Sequence, residues 1–152
     1  MDDDALETYD KYADELVRFA TSLVGPFSAD DVAGAALLRV LRRPTWREVS
    51  DLRPYLYRAV VNEARSQRRS TDRRLRRETD AARLAGEPVS AFVRIEVLDA
   101  IRRLSVQQRA VVFLTYWIEA PAAEVARTLH LSVRTVEREL MRARRALEVL
   151  LR

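Results

Sequence analysis

The sequence predicts an all-α protein made of two small helical domains joined by a flexible linker. Three observations point there. The 152 residues include only three glycines, too few for hairpin turns or glycine-rich nucleotide loops. Apolar residues recur at steps of three or four through most of the chain, the period of a helix with one buried face. That period fails between residues 70 and 92, and the part after it holds four helical segments with no room for a sheet. The predicted limits are therefore 4–69 for the first domain, 70–92 for the linker and 93–151 for the second domain.

In the first segment Leu6, Tyr9, Tyr12, Leu16, Phe19 and Leu23 share one helical face, and Gly25 with Pro26 should end it. A second helix is predicted after Ser28, whose hydroxyl can cap an unpaired N–H, with Asp30 and Asp31 suited to its first turn. It runs through DDVAGAALLRVLR to Pro44, and WREVSDL then forms a connector with a partial helical turn. The third helix is DLRPYLYRAVVNEARSQRR, with Asp51 as cap and Pro54 tolerated in the first turn. From Ser70 to Phe92 the apolar residues Leu75 and Leu84 are too sparse to make a face, and Gly86 and Pro88 punctuate the end.

The second domain restarts with Val93, Val97, Ile101 and Leu104 along one face. Ser105 followed by Gln108 is a capping box that sets up SVQQRAVVFLTYWI, where Phe113, Tyr116 and Trp117 read as core. Pro121 opens AAEVARTLH, a short break follows, and a long last helix starts at Val133.

Composition removes several classes of function. With no cysteine, disulfides, thiol chemistry and sulfur-ligated metals are excluded. His130 is the only histidine, so it lacks an imidazole or thiol partner for a metal, and a turn residue is its simpler role. No active-site pattern and no cofactor loop occur, so the chain is not expected to be an enzyme and no cofactor is assigned. No apolar run is long enough to cross a bilayer, and the start MDDDALETYD is unlike a signal peptide. A cytoplasmic location without membrane insertion is the expectation.

Charge is distributed unevenly. Residues 1–31 hold nine acids against Lys11 and Arg18, whereas residues 39–83 hold fourteen arginines against six acids. Arginine suits phosphate and base-edge contacts through its planar fork, although genome composition produces the same bias. In the last helix Val136, Leu140, Ala143, Leu147 and Leu150 form one stripe, and Arg134, Arg138, Arg142 and Arg145 lie opposite, with Thr135 beside them. A solvated exterior would look the same. The preceding AAEVARTLHLS, however, makes a helix, tight turn, helix unit that projects the start of the last helix outward, as a major-groove reader requires. Arg134, Thr135 and Arg138 lie early enough to meet base edges, while Arg142 and Arg145 suit the backbone or solvent.

The middle helix carries a second candidate surface. Tyr55 and Tyr57 lie among Arg53 and Arg58 and are followed by Asn62, Arg65, Gln67, Arg68 and Arg69. Rings among arginines and an amide can stack on unpaired bases. The plain alternative is one tyrosine in the core and the other solvated.

Together these segments resemble a small bacterial sigma factor of the extracytoplasmic-function group of the sigma-70 family. DDVAGAALLRVLR with DLRPYLYRAVVNEARSQRR is similar to the family's region 2, and AIRRLSVQQRAVVFLTYWIEAPAAEVARTLHLSVRTVERELMRARRAL to its region 4. The resemblance implies core RNA polymerase, promoter DNA and an anti-sigma factor as partners, and no small-molecule substrate. It places Asp31, Leu37, Leu38 and Leu41 against polymerase. Tyr55, Tyr57, Arg58, Asn62 and Arg65 fall at the −10 element, and Arg134, Thr135, Arg138 and Arg142 at the −35 element. The chain departs from the family's pattern at Gly34, Ala35 and Leu37, where a glutamine, an acid and a phenylalanine are usual. It also has Tyr55 for a tryptophan, His130 for a glycine, and Glu137 and Glu139 where basic or small residues are common. Two other readings share the arginine face or the fold: a DNA-binding regulator with a degenerate region 2, and a sigma-like protein-interaction decoy.

Overall fold

The computed structural model describes residues 1–82, 100 and 102–150. Helix α1 (Asp3–Val24) starts where the Asp2 carboxylate accepts a bond from Ala5 N at 2.9 Å. It buries Leu16, Phe19, Ala20 and Leu23 but leaves Leu6 exposed and Tyr9 and Tyr12 half-buried, so the predicted stripe deepens along its length. Gly25 ends α1 at φ 85°, where a side chain would be strained, and its N–H reaches Thr21 O.

Helix α2 (Ala29–Leu41) buries Ala29, Val32, Ala33, Ala36, Leu37 and Val40 against α1 and α3. The predicted hydroxyl cap is not made. Ser28 lies in helical backbone, and its carbonyl, not its side chain, accepts from Val32 N at 3.0 Å. The connector is a 3-10 turn, Pro44–Glu48, that buries Trp46. Arg47 covers the Trp46 ring at 4.6 Å and pairs with Asp2 and Asp4, which ties the connector to the start of α1.

Helix α3 (Arg53–Ala82) begins with Asp51 Oδ1 accepting from Arg53 N at 3.3 Å. It continues well past residue 69, so the first part of the predicted linker is helical. Residues 70–82 contain no glycine or proline and consist largely of good helix formers. Extending a helix already docked costs far less than starting one, so a buried stripe is not required there. Residues 83–92 lie outside the described residues, as do Val93, Val97 and Ile101 of the next predicted face.

Both halves of the Ser105–Gln108 capping box are formed, at 3.1 Å and 3.0 Å. Helix α4 (Val106–Val112) then widens into a π-helical turn, Phe113–Trp117, that was not legible in the sequence. The wider turn rotates the aromatics away from an α-helical register. Tyr116 is 51% and Trp117 72% exposed, which corrects their expected place in the core. Helices α5 (Ala122–Leu129) and α6 (Val133–Leu150) are joined by His130 in left-handed backbone at φ 60°. Ser132 caps α6 by accepting from Thr135 N at 3.0 Å.

The two halves touch. Phe113 of the π-helical turn meets Phe19 of α1 at 5.3 Å between ring centres, and Phe19 meets Tyr57 of α3 at 4.6 Å. The described apolar residues thereby form one continuous cluster across both halves.

Candidate nucleic-acid and polymerase surfaces

Helix α6 is docked by Val136 and Ala143, which are fully buried, with Leu140 half-buried beside them. Its opposite face leaves Arg134, Arg138, Arg142 and Arg145 exposed. The acids expected on the flanks divide: Glu137 is exposed, and Glu139 is buried with Arg142 Nη1 at 3.4 Å. Thr135 is half-buried, and its hydroxyl lies 2.8 Å from Ser132 Oγ, so it completes the cap instead of projecting outward. Arg134 and Arg138 therefore hold the early, unencumbered positions. Arg144, behind this face, bonds the Tyr116 hydroxyl at 2.7 Å from Nε. That contact fixes the far side of α6 to the π-helical turn.

On α3 the two tyrosines part company. Tyr55 is 44% exposed with the Arg58 guanidinium over its ring at 4.6 Å, a stacked pair that faces solvent. Tyr57 is buried, and its hydroxyl donates to Glu15 Oε1 at 2.7 Å. Burial, reinforced by Glu15, raises its pKa well above the ordinary tyrosine value. The tyrosine expected beside the strand is thus a core residue that joins α3 to α1. Arg58, Asn62 and Arg65 line a cavity of about 220 Å³, whose other wall is Gln107, Leu129, His130 and Leu131. Beside Tyr55 a shallower depression is lined by Thr45, Glu48, Ser50 and Asp51 of the connector. The sequence treated these only as a connector, because nothing local signals that the turn folds back beside Tyr55.

The polymerase candidates on α2 also separate. Leu37 has no exposure, whereas Asp31 is exposed and Leu38 and Leu41 are half-buried. Leu38 and Leu41 border a depression of about 310 Å³ with Ala5, Arg42 and Trp46. A Cβ at Gly34 would meet only the Tyr9 hydroxyl, at 3.7 Å, an ordinary contact. No group of acids and histidine able to hold a metal ion occurs among the described residues.

Comparison with known proteins follows the same division. Residues 8–74 match Sigma-70 region 2, and residues 94–147 match Sigma-70, region 4. The ECF RNA polymerase sigma factor SigL of Mycobacterium tuberculosis is 30% identical over 94% of this chain and 86% of its own length. The RNA polymerase sigma-E factor of Streptomyces coelicolor is 31% identical over 86% and 76% respectively. The sigma factor RpoE from Bartonella quintana, solved in complex with the anti-sigma factor NepR, shares the fold. It aligns with a TM-score of 0.65 over 97% of this chain and 96% of that one, at 23% identity.

Proposed function

The chain belongs to the extracytoplasmic-function group of the sigma-70 family, and we propose that it binds core RNA polymerase and directs promoter-specific initiation. The observation that carries this reading is the presence of both regions, in order, on one chain whose last helix presents an exposed arginine face. In this reading α6 enters the major groove at the −35 element, with Arg134 and Arg138 at base edges and Arg142 at the backbone. Thr135 acts there through the cap it shares with Ser132.

At the −10 element the exposed Tyr55–Arg58 pair offers a stacking platform, and Asn62 and Arg65 offer an amide and a guanidinium to unpaired bases. Tyr57 supports that surface from beneath by anchoring α3 to Glu15. Asp31, Leu38 and Leu41 form the polymerase surface on α2, and Leu37 holds the helix that presents them. By family membership an anti-sigma factor is assigned as the second protein partner. The cytoplasm, where polymerase acts, is the assigned location; no described helix is long and apolar enough to cross a membrane.

Run-off transcription with purified core enzyme, on templates selected by the reconstituted holoenzyme, tests the reading. Transcripts should start at discrete sites only when the chain is present. Absence of both transcripts and co-elution with core enzyme would remove it.

A further inference from the structure

The two halves meet along a polar seam, where Arg65 donates to Gln107 Oε1 at 2.8 Å and Arg109 donates to Leu23 O at 2.6 Å. Beside this seam, between α3, α4 and the α5–α6 turn, lies the cavity of about 220 Å³. Its polar lining comes from Arg58, Asn62, Arg65, Gln107 and His130, and the buried side chains of Val61 and Ala110 form part of its floor. No described acid lines it. Helical spacing sets Arg58, Asn62 and Arg65 on one face of α3. Only the fold brings His130 to them.

Every polar side chain in this lining can donate a hydrogen bond. The Arg58 guanidinium lies over the Tyr55 ring at 4.6 Å, which engages the flat face of the fork and leaves its N–H edge. Arg65 gives an N–H to the oxygen of Gln107, so Gln107 keeps its amide nitrogen as a donor. Among the described residues no hydrogen bond or ion pair engages the Asn62 amide or the His130 ring. Two guanidinium cations beside an apolar floor repel one another. A multiply charged oxyanion between them removes that repulsion and gains charge-assisted hydrogen bonds. The volume equals that of about seven waters at roughly 30 Å³ each, which is room for a small oxyanion with part of its water shell.

His130 occupies its place under strain. Its backbone is left-handed, at φ 60° and ψ 43°, a conformation that glycine adopts freely and histidine does not. The turn requires that conformation but not an imidazole. Strain retained at a residue that lines a cavity points to use of its side chain. We propose that this cavity binds a small tetrahedral oxyanion, inorganic phosphate or pyrophosphate, with Arg58 and Arg65 supplying charge and His130 a ring N–H. The site goes beyond promoter recognition and does not depend on it. Because Arg58, Asn62 and Arg65 also serve the −10 reading, direct binding to the free full chain is the readout, not transcription.

His130 is the only histidine, so its ring protons give an unambiguous NMR signal. Titration with phosphate, and separately with pyrophosphate, at an ionic strength held constant with chloride, should move that signal along a saturable curve. The dissociation constant for phosphate should be on the order of 1 mM, and pyrophosphate should bind more tightly. In variants the phosphorus resonance of the ligand reports binding. Arg58→Gln and Arg65→Gln should each weaken it about tenfold, as loss of a charge-assisted bond does. His130→Gly relaxes the turn, so melting should rise while affinity falls about fivefold. Arg18→Gln, at an exposed arginine of α1 that does not line the cavity, should bind like the parent. A linear or absent response in the parent would overturn the site. So would an equal loss in Arg18→Gln, which marks general charge screening, or parental affinity in a folded His130→Gly.

Discussion

Between α1, α2 and α3 the bulk of the core comes from buried leucine and aromatic side chains set among alanines and valines, whereas the side chains buried among α4, α5 and α6 are mostly valine and alanine. Leu16, Phe19, Leu23, Leu37, Leu56 and Val60 have no exposure in the first half; Val111, Val125, Val136 and Ala143 have none in the second. The second core is built from smaller residues, and small domains bury proportionally little surface. Phe113 adds to it by leaning on Phe19 of the larger half. The arginines are distributed the other way: Arg134, Arg138 and Arg145 of α6 stand exposed in the second half, while Arg65 and Arg68 of the first are drawn into the seam. The contact between the halves pairs Arg65 and Arg68 of α3 with Gln107 and the carbonyls of Leu104 and Arg102, and Arg109 of α4 with Leu23 O.

The largest effect should come from the residue that serves both cores. Phe19→Ala removes the ring between Tyr57 and Phe113 and should cost about 3–5 kcal/mol of stability. Trp46 and Trp117 are the two tryptophans and lie one in each half, so urea unfolding followed in single-tryptophan variants reports the halves separately. Both midpoints should fall. A shift confined to Trp46 would break the claim that the second half depends on the first.

Arg138→Ala tests the open face. It should leave melting nearly unchanged, because Arg138 is exposed and opposite the docking stripe. Binding to a −35 duplex should weaken by about 1–3 kcal/mol with discrimination relaxed at one base, as expected for a bidentate base contact. Isotherms on specific and scrambled duplexes at several salt concentrations would show it; equal loss on both duplexes would reassign Arg138 to phosphate.

Two serines sharpen the comparison further. Ser132→Ala removes a cap that bonds Thr135 N and should cost about 1 kcal/mol. Ser28→Ala removes a hydroxyl that makes no cap bond at α2 and should stay within about 0.5 kcal/mol of the parent. Thermal denaturation of the pair distinguishes a used cap from an unused one. Gly34→Ala should be the smallest change, a gain of about 0.5–1 kcal/mol, since the new methyl meets only Tyr9 at ordinary contact distance. Gly34→Gln with Ala35→Glu, which restores the polar pair usual in the family, should tighten core-enzyme binding in a pull-down titration without altering promoter choice.

What could be read from the sequence was local. The capping box at Ser105, the stop at Gly25 and the α5–turn–α6 unit each rest on residues within a turn or two of one another. The arginine face of α6 was legible for the same reason, because one helical period separates it from the docking stripe. Angular position sets Thr135 beside the arginines, but its bond to Ser132 depends on the cap geometry. Longer-range facts were not legible. Tyr57 goes inward because Glu15 and Phe19, far earlier in the chain, meet it there. Leu37 and Leu38 are adjacent, and only the packing of α2 between α1 and α3 decides which is core. The extension of α3 to Ala82 carries no apolar period, so only the helix propensity of residues 70–82 hints at it in the sequence. The seam pairs residues with no sequence relation, so no periodicity announces it.

The contrast between an open face and an engaged one is tested most directly by arginine-specific modification of the free protein. Phenylglyoxal labelling read by mass spectrometry gives a rate for each arginine in one experiment. Arg134 and Arg138 should react quickly, and Arg68 and Arg109, held on the carbonyls of the opposite half, should react slowly. Equal rates for the two groups in the free protein would contradict the account.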